Sequence, residues 1–202
     1  MAIETAAEAC SVALFENGNL LAHAHEIVGR GHAERLIPMI AELPGRGRAD
    51  QVLVDCGPGS FTGVRVGLAA ARAFGLAWGA HVQGYSSLAL IAAMGFAEEN
   101  DFDTLAVAII GGHGEYFVQR FERHGMRAMT PLASLKPEEA AALCGADPVA
   151  GSAADAMRAA GASGRALPIS PDARATFLLP PDLAALPPRP IYGRAPDARL
   201  PG

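Results

Sequence analysis

The alternation of apolar and polar positions gives the first half of the chain an orderly series of elements. Ala2 to Thr5 and Cys10 to Phe15 read as strands, and Glu16-Asn17-Gly18-Asn19 turns the chain back into a third, Leu20 to Ile27. Asn-Gly between alternating segments is a strong hairpin signal. Leu36, Ile37, Ile40 and Leu43 recur at helical spacing, which predicts a helix over Gly31 to Leu43, ended by Pro44-Gly45. A strand over Gln51 to Cys56, a helix over Thr62 to Gly79 and a strand over His81 to Tyr85 follow. Ser86-Ser87 then offers an N-cap for a helix through Ala97.

The second half begins in the same way. Thr104 to Ile110 is apolar and strand-like, Gly111-Gly112-His113-Gly114 is a turn, and Glu115 to Phe121 alternates as a paired strand. A strand near Met126 to Met129 and helices over Pro137 to Cys144 and Ala153 to Ala160 follow. Prolines at 180, 181, 187, 188, 190, 196 and 201 rule out regular structure at the end. The predicted organisation is a subdomain over residues 1–98, a smaller one over 99–180 and an extended tail over 181–202. A β-β-β-led unit repeated in reduced form predicts an α/β fold of the actin-like (ASKHA, RNase H-like) kind, with a reduced second subdomain.

Composition narrows the function classes. Half of the 202 residues are apolar and 18% are charged, enough for a substantial core. The net charge of −5 argues against a protein that grips nucleic acid by itself. Cys10, Cys56 and Cys144 form no CxxC and no regular spacing, so they read as reduced thiols of a cytoplasmic protein. No secretory signal is visible after Met1, and the longest apolar run, Val66 to Ala80, is too short to span a bilayer.

The glycine-rich stretch Gly57-Pro58-Gly59-Ser60-Phe61-Thr62-Gly63-Val64-Arg65 lies between a predicted strand and a predicted helix. It lacks the lysine of a P-loop, its glycines are spaced one residue too far for a dinucleotide fingerprint, and Ser60 has Pro58 and Thr62 where a nucleophile elbow needs glycines. Backbone amides at the helix start could receive an anion. The commoner role is structural: a tight exit from the strand, a cap from Ser60 or Thr62, and Phe61 as a core plug. In the following helix Gly63, Gly67, Ala71, Gly75 and Gly79 fall on one stripe. Such a stripe packs closely on an internal sheet, or lets a partner protein approach.

Other polar residues point to no catalytic set. The histidines 23, 25, 32, 81, 113 and 124 form no HxxxH pair on a helix, which predicts no metal site. His23 and His25 share a strand face, and His32 stands where it caps the first helix or meets a partner. Glu4 and Thr5 end the first strand, where actin-like ATPases hold magnesium and phosphate; the glycine used there is missing, so the pair reads as a vestigial nucleotide site, and no cofactor is predicted.

Ile3-Glu4-Thr5-Ala6, Glu8 to Leu14, His32 with Leu36-Ile37-Pro38, GPGSFTGVRVGLAAARAFG and the terminal Pro190-Ile191-Tyr192-Gly193-Arg194-Ala195-Pro196 resemble the bacterial TsaB (YeaZ) family. The chain departs from the family pattern at Glu4, where an aspartate is usual, and at Ile110 to Glu115, which keeps only the last two residues of D-A-R-x-G-E. The resemblance implies a non-catalytic scaffold that pairs with TsaD, the subunit that transfers threonylcarbamoyl to adenosine 37 of ANN-decoding tRNAs. It also implies the ATPase TsaE in a ternary complex, tRNA contact mainly through that complex, no membrane, and a homodimer when the chain is alone. The implied partner surface lies on the first two helices, with His32, Arg35, Leu36, Met39, Gly63, Arg65, Gly67, Ala71 and Gly75 as its candidates. Two alternatives from other classes are a glycoprotease-like metallopeptidase and an actin-like ATP-binding protein.

Overall fold

The computed structural model describes residues 1–193. The hydrophobic alternation of the N-terminal half builds a five-stranded sheet from β1 (Ala2–Glu4), β2 (Ala9–Glu16), β3 (Asn19–Ile27), β4 (Gln51–Asp55) and β5 (His81–Tyr85), in the order β3-β2-β1-β4-β5. β1, β2 and β3 pair antiparallel, while β4 and β5 join parallel to β1. The β2–β3 hairpin turns through Asn17 and Gly18, both at positive φ, as the Asn-Gly signal requires. Along β2, Cys10, Val12 and Leu14 enter one core while Ser11 and Ala13 point to the opposite face.

Helices cover both faces. α1 (His32–Glu42) and α2 (Phe61–Trp78) lie on one, closing a core of Ile3, Val12, Leu36, Met39, Ile40, Val54 and Leu68. α3 (Ser87–Glu98) lies on the other and packs against the second sheet as well. Leu88 to Ala93, Gly95 and Phe96 are all buried, so this helix is apolar on every side because it is enclosed on every side.

The second sheet consists of β6 (Thr104–Ile110), β7 (Tyr116–Glu122), β8 (Arg127–Ala128), β10 (Val149–Ala150) and β11 (Ala166–Leu167). Its order, β8-β7-β6-β10-β11, repeats that of the first sheet strand for strand. The first pairs are again antiparallel, and the last two strands again join parallel. β9 (Ala133–Leu135) also pairs with β7. α4 (Pro137–Cys144) and α5 (Ala154–Ala159) cover the outer face, on a core of Ala106, Ala108, Val118, Cys144 and Met157. The duplicated α/β architecture is therefore that of the actin-like class. β9, β10 and β11 have two or three residues each, too few for alternation to reveal them in the sequence.

After α5 a 3-10 helix, Ala173–Leu178, packs beside α3 on β1 and β2 of the first sheet. The chain then returns to the first sheet. Gly84 and Leu186 form an antiparallel bridge, the Ile191 amide donates to the Cys56 carbonyl at 2.7 Å, and Arg72 Nη2 donates to the Pro188 carbonyl at 2.6 Å. The remainder of the proline-rich tail, with Arg194, Ala195 and Pro196 of the terminal motif, lies outside the described residues.

Candidate functional site

The C-terminal ends of β1, β4 and β5 bring together residues that are far apart in sequence. Ala2 pairs with Leu53 and Ile3 with Val54, so Glu4 and Asp55, the next residues along, come side by side on the face that meets α3. Both are fully buried, as are Tyr85 and Ser87 beside them. Glu4 Oε1 accepts from the Ala6 amide at 2.7 Å, and Oε2 from the Tyr85 hydroxyl at 3.0 Å. Asp55 Oδ1 accepts from the Gly57 amide at 2.5 Å and the Ser87 hydroxyl at 2.7 Å.

Burial, followed by the charge of Asp55, holds the Glu4 carboxyl well above its ordinary range; burial also raises Asp55, against the donors gathered around it. Asp55 Oδ2 meets no amide or hydroxyl donor, and a hydrogen bond between the two carboxyl side chains raises Glu4 further and lowers Asp55. Two buried carboxyls thus share one proton, with Glu4 the neutral partner. The pair is closed over by its own chain and presents no free oxygen to solvent.

The glycine-rich loop is a seat for the turn after β1. The Ser60 amide donates to the Ala6 carbonyl at 2.7 Å, and the Thr5 hydroxyl donates to the Gly63 carbonyl at 2.8 Å. A Cβ at Gly59 would fall on the Ala6 carbonyl oxygen, and one at Gly63 on the Thr5 carbonyl oxygen, so only glycine admits this approach. Ser60 caps α2 by accepting from the Gly63 amide at 3.2 Å. Gly57–Pro58 is a cis peptide bond. The two turns touch directly, which leaves no space for a phosphate between them. Thr5 and Glu4 face inward, so the site expected at the end of the first strand has no open side.

The structure corrects several sequence expectations. The glycine stripe of α2 faces its own sheet: Gly67 packs on Thr5, Val54 and Ile3, Gly75 on Val82, and Ala71 is fully buried. His32, Leu36 and Met39 are buried as well, with His32 Nε2 3.2 Å from the Ala9 carbonyl. The side chains of His32, Leu36, Met39 and Ala71 are thus taken up within the chain, while Gly75 is half-buried. Arg35 pairs with Glu26 at 2.6 Å, and Arg65 lies at the surface. Phe61 is not a core plug but is 61% exposed, with the Arg65 guanidinium 3.4 Å above its ring centroid. His25, on the strand face it shares with His23, meets Asp172 at 3.1 Å.

What α1 and α2 turn outward is a different set. On α1 these are Ala33, Glu34, Ile37, Pro38, Ala41 and Glu42, and on α2 Phe61, Thr62, Arg65, Ala69, Arg72, Ala73, Leu76 and Ala77. The outward positions recur every three to four residues, as one face of each helix. Leu76 is 83% exposed and Ile37 49%. The small-residue stripe that the sequence singles out on α2 packs on the chain's own sheet, because a stripe of small residues fits a sheet as well as a partner.

Comparison with known proteins agrees with this architecture. A family profile described as "TsaD: tRNA N6-adenosine threonylcarbamoyltransferase" matches residues 24–169. The "tRNA threonylcarbamoyladenosine biosynthesis protein TsaB" of Escherichia coli is 37% identical over 151 residues, covering 68% of this chain and 62% of that protein. Its Haemophilus influenzae namesake is 36% identical over 135 residues, covering 63% and 56%. The matched stretch is thus under two thirds of the length of either curated relative. The structure of YeaZ from Pseudomonas aeruginosa superposes with a TM-score of 0.79 at 29% identity, covering 95% of this chain and 97% of that one. Profile, relatives and superposed structure converge, and the chain belongs to the TsaB/YeaZ family.

Proposed function

We propose that the chain is a non-catalytic scaffold that binds and activates TsaD. In that complex threonylcarbamoyl passes to the adenosine beside the anticodon of ANN-decoding tRNAs. The observation that carries this reading is the outward face of α1 and α2. An isolated exposed leucine needs no explanation, but Ile37 and Leu76 stand among exposed alanines on two adjacent helices. Glu34, Glu42, Arg65 and Arg72 are exposed beside them, a mixed surface with an apolar centre and charged surroundings suited to helix packing. Alanines let the partner backbone come close, and the larger side chains supply contact area. The TsaE ATPase is the third member, tRNA is held mainly through the complex, and the setting is cytoplasmic. In the absence of TsaD the same face pairs two copies of the chain.

The enclosed state of Glu4 and Asp55 supports a role without chemistry of its own, because a carboxyl that reaches neither substrate nor solvent cannot act as a general base. It counts equally against the metallopeptidase reading. The direct contact of Ala6 with Ser60 counts against the ATP-binding reading. The test is light scattering behind size exclusion, on the chain mixed with TsaD of its own organism. A heterodimer is expected for wild type, and its loss for the double variant Ala73→Glu, Leu76→Asp, with circular dichroism confirming an intact fold. A wild type that ignores TsaD, or a folded variant that binds it unchanged, overturns the reading.

A further inference from the structure

Between the two halves of the chain lies a cavity of about 810 Å³, bounded by the start of α2, the turn from β6 to β7 and the returning tail. Its walls carry three large side chains left mostly open: Phe61 at 61%, Ile110 at 64% and Tyr192 at 60% exposure. They come from three separate segments and converge on one space, which is unlike the scattered surface apolar residues of an ordinary protein. Phe117 and Ile191 contribute further apolar surface.

The charge of this cavity differs from that of the molecule. The chain has a net charge of −5, yet no aspartate or glutamate is among the residues that line the cavity. Arg65 and His113 are the lining groups able to carry charge, and both are basic. Arg65 has no carboxylate partner among the described residues. Its guanidinium rests on the Phe61 ring, and Nη2 donates to the Tyr192 hydroxyl at 3.3 Å. Arg35, Arg120, Arg127, Arg165 and Arg174 pair with carboxylates, whereas Arg65 is among the described arginines that do not, and it is the one that faces this cavity. The first turn of the 18-residue α2 adds the partial positive charge of its amides at the same wall.

We propose that this cleft binds a small anion carrying an aromatic ring. The ring lies among Phe61, Ile110 and Tyr192, and the anionic group meets the Arg65 guanidinium. A planar ring suits the aromatic walls, and a carboxylate or phosphate suits the fork of donors on arginine. Because the cleft is walled by both halves, an occupant bridges them. The inference does not depend on the scaffold reading, since Ile110 and Tyr192 lie outside α1 and α2, and Phe61 stands at the very start of α2, far along the helix from Leu76.

The test is a ¹⁵N-resolved NMR titration of the full chain with phenyl phosphate, benzoate and neutral phenol as probes. Saturable shifts are expected at the amides of Phe61, Gly111, Gly112 and Tyr192. Phenol should bind at least about ten-fold more weakly than the better anion, the factor for one charge-assisted hydrogen bond. The relative affinities of phosphate and benzoate decide which anion the site takes. Arg65→Met keeps an apolar stem over Phe61 and should erase the preference for anions; Ile110→Asp should abolish binding of both. Both positions are exposed, and the amide spectrum reports whether the variants stay folded. The proposal is overturned if no probe gives saturable shifts, if the shifts map elsewhere, or if Arg65→Met binds the anions as well as wild type does.

Discussion

Glu4→Gln replaces the neutral member of the buried carboxyl pair with an amide of the same shape. In the wild type Glu4 must keep a proton that it would lose in the unfolded chain above its ordinary value of 4.5. Each pH unit above that value over which the folded protein holds the proton costs about 1.4 kcal/mol. Because the folded value is raised, the contribution of this group to stability is fully present below pH 4.5 and is lost progressively as pH rises toward the folded value. A glutamine carries no such dependence. Its Oε1 accepts from the Ala6 amide, its Nε2 donates to Asp55 Oδ2, and the Tyr85 hydroxyl keeps the Ile3 carbonyl at 3.1 Å. The variant is therefore expected to be more stable than wild type at pH 7, by about 1.4 kcal/mol for each pH unit over which Glu4 holds its proton, and to lose that advantage by pH 4. Urea unfolding from pH 4 to pH 8 measures the difference directly. A stability change that is independent of pH, or a glutamine variant weaker than wild type at pH 7, would refute the shared proton.

Other expectations follow from single contacts. Gly63→Ala drives a methyl into the Thr5 carbonyl and should cost about 3 kcal/mol in chemical denaturation, whereas Gly79→Ala, where a Cβ meets nothing, should cost about 1 kcal/mol through its positive φ alone. Arg123 donates to the carbonyls of Phe96, Phe102 and Glu99 at 2.6–2.9 Å and stacks on both rings; Arg123→Ala should cost about 3 kcal/mol, with Arg123→Lys recovering only part of it. Burial pushes the thiols of Cys10, Cys56 and Cys144 up to about 11, so none should react with iodoacetamide in the native protein at pH 7, and all three should react in urea. A native cysteine that alkylates as fast as a free thiol would contradict the packing described.

The first sheet was legible because its strands are long enough to alternate and its hairpin carries an Asn-Gly turn. The duplication was legible from β6 and β7 alone. What the sequence concealed was direction. Gly63, Gly67 and Gly75 announce a close approach, but spacing does not say whether the approaching surface is Thr5 and Val82 of the same chain or another protein. The pairing of Glu4 with Asp55 was hidden for a similar reason: neither motif nor period links the ends of two strands separated by the whole of β2, β3 and α1. Arg123 gave no signal, since an arginine near a turn looks like any solvated charge until its three carbonyl partners are in place. Asp55 itself sits in an apolar strand, and a lone acid there was the available clue to a buried partner.

α3 has no polar side, and that shapes how the protein is made as well as how it is held. A ribosome delivers Ser87 to Glu98 before Leu105, Val107 and Phe121, the residues of the second sheet against which α3 packs. Until β6 and β7 emerge, this helix is a greasy rod with half of its surface bare. The first sheet cannot be released as a finished unit, and synthesis passes through an interval in which the nascent chain is open to misassociation. The two halves that look like repeats in the fold are thus a single unit in time, joined by an element that neither can shelter alone.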